Sequence, residues 1–319
     1  VSSPALDAQP HRSGRDALIA AIMAFVGRGD LLPLDDIRAA LAREIDAAGP
    51  EAVVALQSRL AADHGWTYYP PDPLARRIHH VLADRFLEQG SRLTGAEHLP
   101  LGARPLAIFA NHLSYADANV VEVLLHRAGA AAVADRLTAI AGPKVFSSRE
   151  RRFSSLCFGT IKVPQSADVS SGEAQMHARE VARAARQAID VAAARLSAGD
   201  VLLLFGEGTR SRTASMQPLL AGVARYLDVP GTLIVPVGLT GPEAFFPVDA
   251  SSVRPSRISM TIGQPFEAAA LIAGAHGNRR LVMDAIGLAI AELLPAPYRG
   301  VYADAASHGG ALEALRRAR

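Results

Sequence analysis

A chain of 319 residues, half of them hydrophobic and a fifth charged, is long enough to bury one substantial core and a smaller lobe, and this composition excludes a disordered polymer. Its 33 basic and 31 acidic side chains nearly cancel at +2, which removes whole-molecule attraction to nucleic acid, so any anion site must be local. A single cysteine, Cys157, excludes an internal disulfide and a cysteine zinc site, fits a reducing compartment, and is expected to serve packing.

Taken from the amino end, Ser13 and Asp16 have the spacing of a capping box, and the residues after them carry an apolar helical face of Leu18, Ile19, Ile22, Met23 and Val26. The stretch from Leu18 to Val26 is too short to span a bilayer, and what precedes it lacks the pattern of a signal peptide, so a soluble or peripheral protein is expected. The Ile22, Met23, Phe25 and Val26 face can pack on the rest of the molecule or rest on a membrane, and packing is the commoner outcome. Helices are also expected over Leu34 to Ala48 and Glu51 to His64, which makes residues 1–72 a small N-terminal helical lobe. Three prolines in Pro70-Pro71-Asp72-Pro73 break the periodicity and set its boundary.

After a helix near Leu74 to Gln89, short β-type runs alternate with helical ones. The runs are Leu106 to Ala110, Gly159 to Val163, Val201 to Phe205, Leu233 to Leu239 and Ile258 to Ile262, and the longest amphipathic segment is Ala174 to Ser197. Such alternation predicts an α/β domain over residues 73–305, with a mixed, largely parallel sheet flanked by helices, followed by a tail at 306–319.

The segment Asn111-His112-Leu113-Ser114-Tyr115-Ala116-Asp117 follows the first of those runs and sets a histidine and a carboxylate five positions apart where a buried strand ends. The carboxylate can turn back and orient the imidazole. An imidazole fixed in one tautomer suits removal of a proton from an alcohol as its oxygen attacks an acyl group. The competing reading makes Ser114 and Asp117 a capping box of the next helix and the histidine incidental. A second pair with this spacing, His79 and Asp84, falls inside a helix, where five positions turn side chains apart by about 140°, and reads as a decoy.

Val201 to Phe205 opens into Gly206-Glu207-Gly208-Thr209-Arg210-Ser211-Arg212. The glycines permit a tight loop, and Arg210 can hold a phosphate through paired hydrogen bonds. Glu207 is suited to fixing the loop or an acceptor rather than a metal, because no ligand cluster accompanies it. A solvated charged turn is the competing reading. Gly206-x-Gly208-x-x-Ser211 is a poor dinucleotide fingerprint, since Pro218 interrupts the helix that should follow. The chain has no Gly-x-Ser-x-Gly elbow and no Gly-Lys-Ser/Thr phosphate loop, which argues against a serine acyl-enzyme and against nucleotide hydrolysis. Upstream, Lys144, Arg149, Arg151 and Arg152 form a basic run, with a solvated helix face the favoured reading for the three arginines.

Together these segments resemble the glycerolipid acyltransferase superfamily, the glycerol-3-phosphate and 1-acylglycerol-3-phosphate O-acyltransferases. Its first motif, Asn-His-x-Ser-x-x-Asp, is matched by Asn111 to Asp117. Its third, Phe-Pro-Glu-Gly-Thr-Arg-Ser, is matched by Phe205 to Ser211 with Gly206 for proline. Leu233-Ile234-Val235-Pro236-Val237-Gly238 resembles the fourth motif, and Ile290 to Tyr302 resembles a tail of bacterial members. The resemblance spans roughly Leu74 to Tyr302. It departs at the second motif, where Gly159-Thr160-Ile161-Lys162-Val163-Pro164-Gln165 sets Gln165 in place of the arginine that meets acceptor phosphate; Lys162 is the nearest substitute, but a lysine is a point charge and not a bidentate fork.

The resemblance implies His112 as general base oriented by Asp117, with Ser114, Lys144, Lys162, Glu207, Gly208, Thr209, Arg210 and Pro236 at the substrates. It implies an acyl-CoA or acyl carrier protein donor as co-substrate with no resident cofactor or metal, a hydroxyl of glycerol-3-phosphate or lysophosphatidic acid as acceptor, and no acyl-enzyme. A cytoplasmic location with peripheral contact at the inner face of the membrane goes with it. Two alternatives stand beside this reading: a non-phosphorylated or specialised-metabolite acceptor, suggested by Gln165, and a non-catalytic lipid-binding module.

Overall fold

A computed structural model describes residues 8–26, 34–62, 65–100, 102, 104–164, 178–247 and 253–319. The amino-terminal periodicity forms α1 (Ala8–Val26), α2 (Leu34–Ala48) and α3 (Pro50–Ala61). α1 begins ahead of the Ser13 and Asp16 pair that predicts its start, with Pro10 in the first turn, where a missing amide proton costs no hydrogen bond. Leu18, Ile19, Ile22, Met23 and Val26 are buried, so this face packs on the molecule; the Phe25 side chain lies outside the described residues. No described helix is long and apolar enough to cross a membrane.

The proline-rich segment is stitched at both ends. Tyr68–Tyr69 form a short strand, β1. Arg59 of α3 donates to the carbonyls of Pro70 and Pro71 and, at 3.0 Å, to the Asp72 carboxylate. That carboxylate also caps α4 (Pro73–Phe86), accepting from the N–H groups of Leu74 and Ala75 at 3.0 Å.

Beyond it come β2 (Arg92–Thr94), β3 (Leu106–Ala110), α5 (Asp117–Arg127), α6 (Ala131–Ala134), β4 (Leu137–Ala141), α7 (Arg149–Ser155) and β5 (Gly159–Lys162). The remainder is α8 (Ala178–Ser197), β6 (Val201–Phe205), β7 (Leu233–Thr240), α9 (Pro242–Phe245), β8 (Ser259–Ile262), β9 (Phe266–Glu267), α10 (Ala268–Gly274), α11 (Arg279–Ala291) and α12 (Gly309–Ala318). The strands form one mixed, largely parallel sheet in the order β1-β5-β4-β6-β3-β7-β8-β2, with β9 on the start of β7. β1 runs antiparallel to β5, and both β8 and β9 run antiparallel to β7.

β3 is central, and every residue of it is buried, as expected of a parallel strand covered on both faces. Ile108, Leu203 and Val235 belong to a core shared with α1 to α5, so the amino-terminal helices and the sheet have one continuous interior. Ala107, Leu202 and Leu204 face a second core filled from α8, α10, α11 and α12. Residues 306–319 carry α12, in which Ala311, Ala314 and Leu315 are buried.

Register sets up the site. β3 pairs with β6 from Leu106 opposite Val201 to Ala110 opposite Phe205, so the loops that follow them leave the same edge of the sheet side by side. In open parallel sheets that edge, at the carboxyl ends of the strands, is where ligands bind.

Candidate active site

The loop after β3 is locked at its first residue. Asn111 donates to the Leu239 carbonyl at 3.0 Å and accepts from the Leu239 N–H at 2.8 Å, an amide exchange that ties the loop to β7. His112 follows, with its Nδ1 2.8 Å from Asp117 Oδ2. Asp117 opens α5 and is fully buried, and the same oxygen accepts from the N–H groups of Leu113 at 2.6 Å and Ser114 at 2.9 Å. The helix N-terminus favours its negative charge. Both readings of this segment are therefore realised in one carboxylate, which closes the turn and also reaches the imidazole. With Asp117 ionised, Nδ1 donates and Nε2 keeps the lone pair. The Phe205 ring stacks on the imidazole at 4.4 Å between centroids, and a fifth of the His112 side chain stays exposed.

Glu207 joins the two loops through backbone. One carboxylate oxygen accepts from the His112 N–H at 2.8 Å and the other from the Gln217 N–H at 2.7 Å, while the Ser211 N–H donates back to the His112 carbonyl at 2.8 Å. Burial is the main influence on this carboxyl and pushes it up to about 7; the two N–H donors oppose that and the Asp117 charge adds to it. Gly208 has φ +69, and a Cβ there would lie 2.4 Å from Leu220 Cδ1, so the turn needs glycine. Gly208 and Thr209 are exposed at the rim.

Arg210 lies against the Tyr115 ring, its Cζ 3.4 Å from the centroid, and Arg151 reaches the same ring at 4.8 Å. Burial lowers the Arg210 guanidinium, and the Arg151 charge acts in the same direction. Ser114 is buried in structural bonds, accepting from the Ala116 N–H at 3.1 Å and donating to the Phe246 carbonyl at 3.2 Å.

The other sequence-predicted residues stand further off. Lys144 is half-buried in the turn before α7, and its carbonyl accepts from the Ser147 hydroxyl at 2.9 Å. Lys162 is buried on β5, three strands from β3, with its Nζ 5.1 Å from the Trp66 ring and 5.2 Å from that of Phe146. Pro236 is buried beside Phe109 in β7, between the residues paired with β9 and those paired with β8, a gap where the missing N–H breaks no ladder. Gln165 lies outside the described residues. The decoy pair does not form: Asp84 pairs with Arg127 at 2.6 Å, and His79 and His80 turn to the buried Glu122.

Sequence reasoning missed Tyr115, Phe205 as a stacking partner, and Arg151. The solvated reading fails for two arginines of the basic run, since Arg151 meets Tyr115 and Arg152 donates to the carbonyls of Leu60 at 2.7 Å and Phe146 at 2.8 Å. The one available signal was an aromatic residue lodged between His112 and Asp117.

An apolar cavity of about 750 Å³ is lined by Leu18, Ile22 and Val26 of α1, Phe86 of α4, and Val120 and Val123 of α5. Tyr115 and Ala116 also line it, which brings it to the loop that carries His112. Its size falls within the roughly 300–1,000 Å³ of small-molecule sites.

His112, tethered to Asp117 at the carboxyl edge of the sheet, thus lies in the loop that also borders the apolar cavity and carries Tyr115, the ring met by Arg210 and Arg151. Residues 90–240, just under half of the chain, match the acyltransferase family model. The chain is similar in structure to the 1-acyl-sn-glycerophosphate (LPA) acyltransferase, PlsC, from Thermotoga maritima, at 17% identity and a TM-score of 0.45 over 88% of this chain and 97% of that one. No curated protein matches the chain.

Proposed function

We propose that the chain moves a fatty acyl group from an acyl thioester, acyl-CoA or acyl carrier protein, to a hydroxyl of glycerol-3-phosphate or lysophosphatidic acid, with His112 as the general base. The observation that carries this is the 2.8 Å contact of His112 Nδ1 with Asp117, which leaves Nε2 basic on a ring that substrate can reach. Nε2 takes the hydroxyl proton as the acceptor oxygen bonds to the thioester carbonyl carbon. The tetrahedral intermediate then collapses with loss of the carbon–sulfur bond, and the imidazolium returns its proton to the departing thiolate. The acceptor is itself the nucleophile, so no acyl-enzyme forms, and Asp117 steadies the imidazolium between the two transfers. The fatty chain is assigned to the apolar cavity, and the amphiphilic product puts the reaction at the inner face of a membrane.

His112→Ala should lower thioester-dependent acyl transfer at least about a hundredfold while leaving the circular dichroism spectrum intact. Near-normal turnover in that variant would remove the base. Gln165 in place of the expected arginine favours, as a second reading, a non-phosphorylated acceptor. Free-thiol release with glycerol-3-phosphate against uncharged alcohols separates the two.

A further inference from the structure

The histidines left over from the decoy pair reach the apolar cavity. Glu122 of α5 is fully buried, with His80 Nε2 at 3.1 and 3.0 Å from its two oxygens and His79 Nε2 at 3.3 Å from one of them. Burial pushes this carboxyl up, but the two imidazoles more than offset that and hold it down at about 2, so it is ionised. The same His79 Nε2 lies 3.2 Å from the Asn119 carbonyl. Both neighbours of that nitrogen are acceptors, so it carries a proton and donates. Nδ1 is left over, and it has no partner among the described residues.

His79, only 9% exposed, and Asn119 are the buried polar residues among those described that line the cavity. Asn119 is already engaged: its Oδ1 accepts from the Ser154 hydroxyl, and its Nδ2 reaches the Ser154 carbonyl at 3.5 Å and the Cys157 thiol. His79 is not. On α4 it heads a row with Leu82, Ala83 and Phe86, all of which line the same cavity at the spacing of one helix face. A leucine would continue that stripe without a polar atom, whereas a plain hydrocarbon laid against His79 leaves its nitrogen unpaired and out of water. A hydroxyl on the chain removes the mismatch, since it both donates and accepts and so pairs with Nδ1 whether or not that nitrogen holds a proton.

We propose that His79 selects an acyl chain hydroxylated close to its thioester, with its Nδ1 pairing to the chain hydroxyl inside the cavity. The inference rests on the acyltransferase reading of His112 and on the assignment of the fatty chain to the cavity, and it deepens both by naming the class of donor. Position places the hydroxyl near the thioester. The carbonyl that His79 meets belongs to Asn119, two residues beyond Asp117 and so about 3 Å along α5 from the residue that holds His112. Tyr115 and Ala116 line the cavity at this end as well.

The test uses the full chain with glycerol-3-phosphate as acceptor and three donors: palmitoyl-CoA, its analogue hydroxylated on the β carbon, and its analogue hydroxylated on the terminal carbon. Donor binding is read by calorimetry without acceptor, and turnover by thiol release. The wild-type chain should favour the β-hydroxy donor over the other two by about tenfold or more in both Kd and kcat/KM. His79→Gln keeps an N–H towards Glu122 and removes the ring acceptor, and should bring that ratio close to one; His79→Asn, which sets an amide oxygen near the place of Nδ1, should restore part of it. Equal treatment of the three donors by the wild-type chain, a preference for the terminal hydroxyl, or a preference that survives His79→Gln would overturn the proposal. So would a fall for all three donors with their ratio kept, which marks His79 as a structural residue. If the β-hydroxy donor binds tightest although no thiol is released, the selection stands and the acyl-transfer reading falls. If thiol is released equally from all three, transfer stands and the selection falls.

Discussion

Glu207 shows how one buried side chain can tie two loops of the candidate site together through their backbones. Its two oxygens hold the backbone of His112 and of Gln217, so it sets where the imidazole starts and where the glycine loop ends. Glutamine in its place keeps one acceptor and turns the other into a donor facing an N–H. The raised Glu207 carboxyl has a pH signature with a definite sign. A carboxyl that holds its proton more tightly folded than unfolded stabilises the fold most at low pH, and that contribution is lost as pH rises from about 4.5 to about 7. The size is on the order of 3 kcal/mol. Glu207→Gln should therefore flatten the pH dependence of the urea midpoint across that window, and an identical slope in both proteins would refute the assignment. Contiguous motifs made His112, Asp117, Glu207 and Arg210 legible in the sequence. The meeting of Arg151 with Tyr115 was not legible, because it joins α7 to the loop after β3 across a turn that no periodicity describes.

At the scale of elements, the segment after α11 braces the same loop from behind. Met216 donates its N–H to the Tyr298 carbonyl at 2.9 Å and accepts from the Val301 N–H at 3.2 Å, while Gly300, at φ +52, leaves no room for a Cβ against the Met216 carbonyl. The Tyr302 hydroxyl accepts from the Leu219 N–H at 2.9 Å and lies 3.0 Å from Asp284, to which it donates. Burial pushes this phenol up, so it stays a donor at any ordinary pH. Tyr302→Phe strands a buried N–H two residues from Gln217 and should cost about 1–3 kcal/mol in denaturant unfolding. A stability equal to wild type would show that water replaces the hydroxyl. In sequence these residues carry only a likeness to a family tail, with no hint of what they hold. Elements were read with uneven success for similar reasons. β3, β6 and α2 are clean runs between turn signals and have the bounds expected of them. β4 went unnoticed because two of its five residues are alanine, a weak strand former, and β1 because it is two residues long beside prolines.

On the scale of the whole molecule, sheet order and the amino-terminal helices act together. The central place of β3 sets His112 at the middle of the carboxyl edge, and α1 supplies one wall of the cavity that approaches it. If a fatty chain occupies that cavity, its volume limits chain length. Ile22→Trp, which adds bulk to the α1 wall, should shift donor preference towards shorter acyl chains by several-fold in kcat/KM; an unaltered length profile would place the chain elsewhere. The shared wall has a thermodynamic consequence too. A guest lodged there would touch α1, α4 and α5 at once and behave as mortar between the amino-terminal helices and the sheet, so loading with lipid should raise the melting temperature of both together.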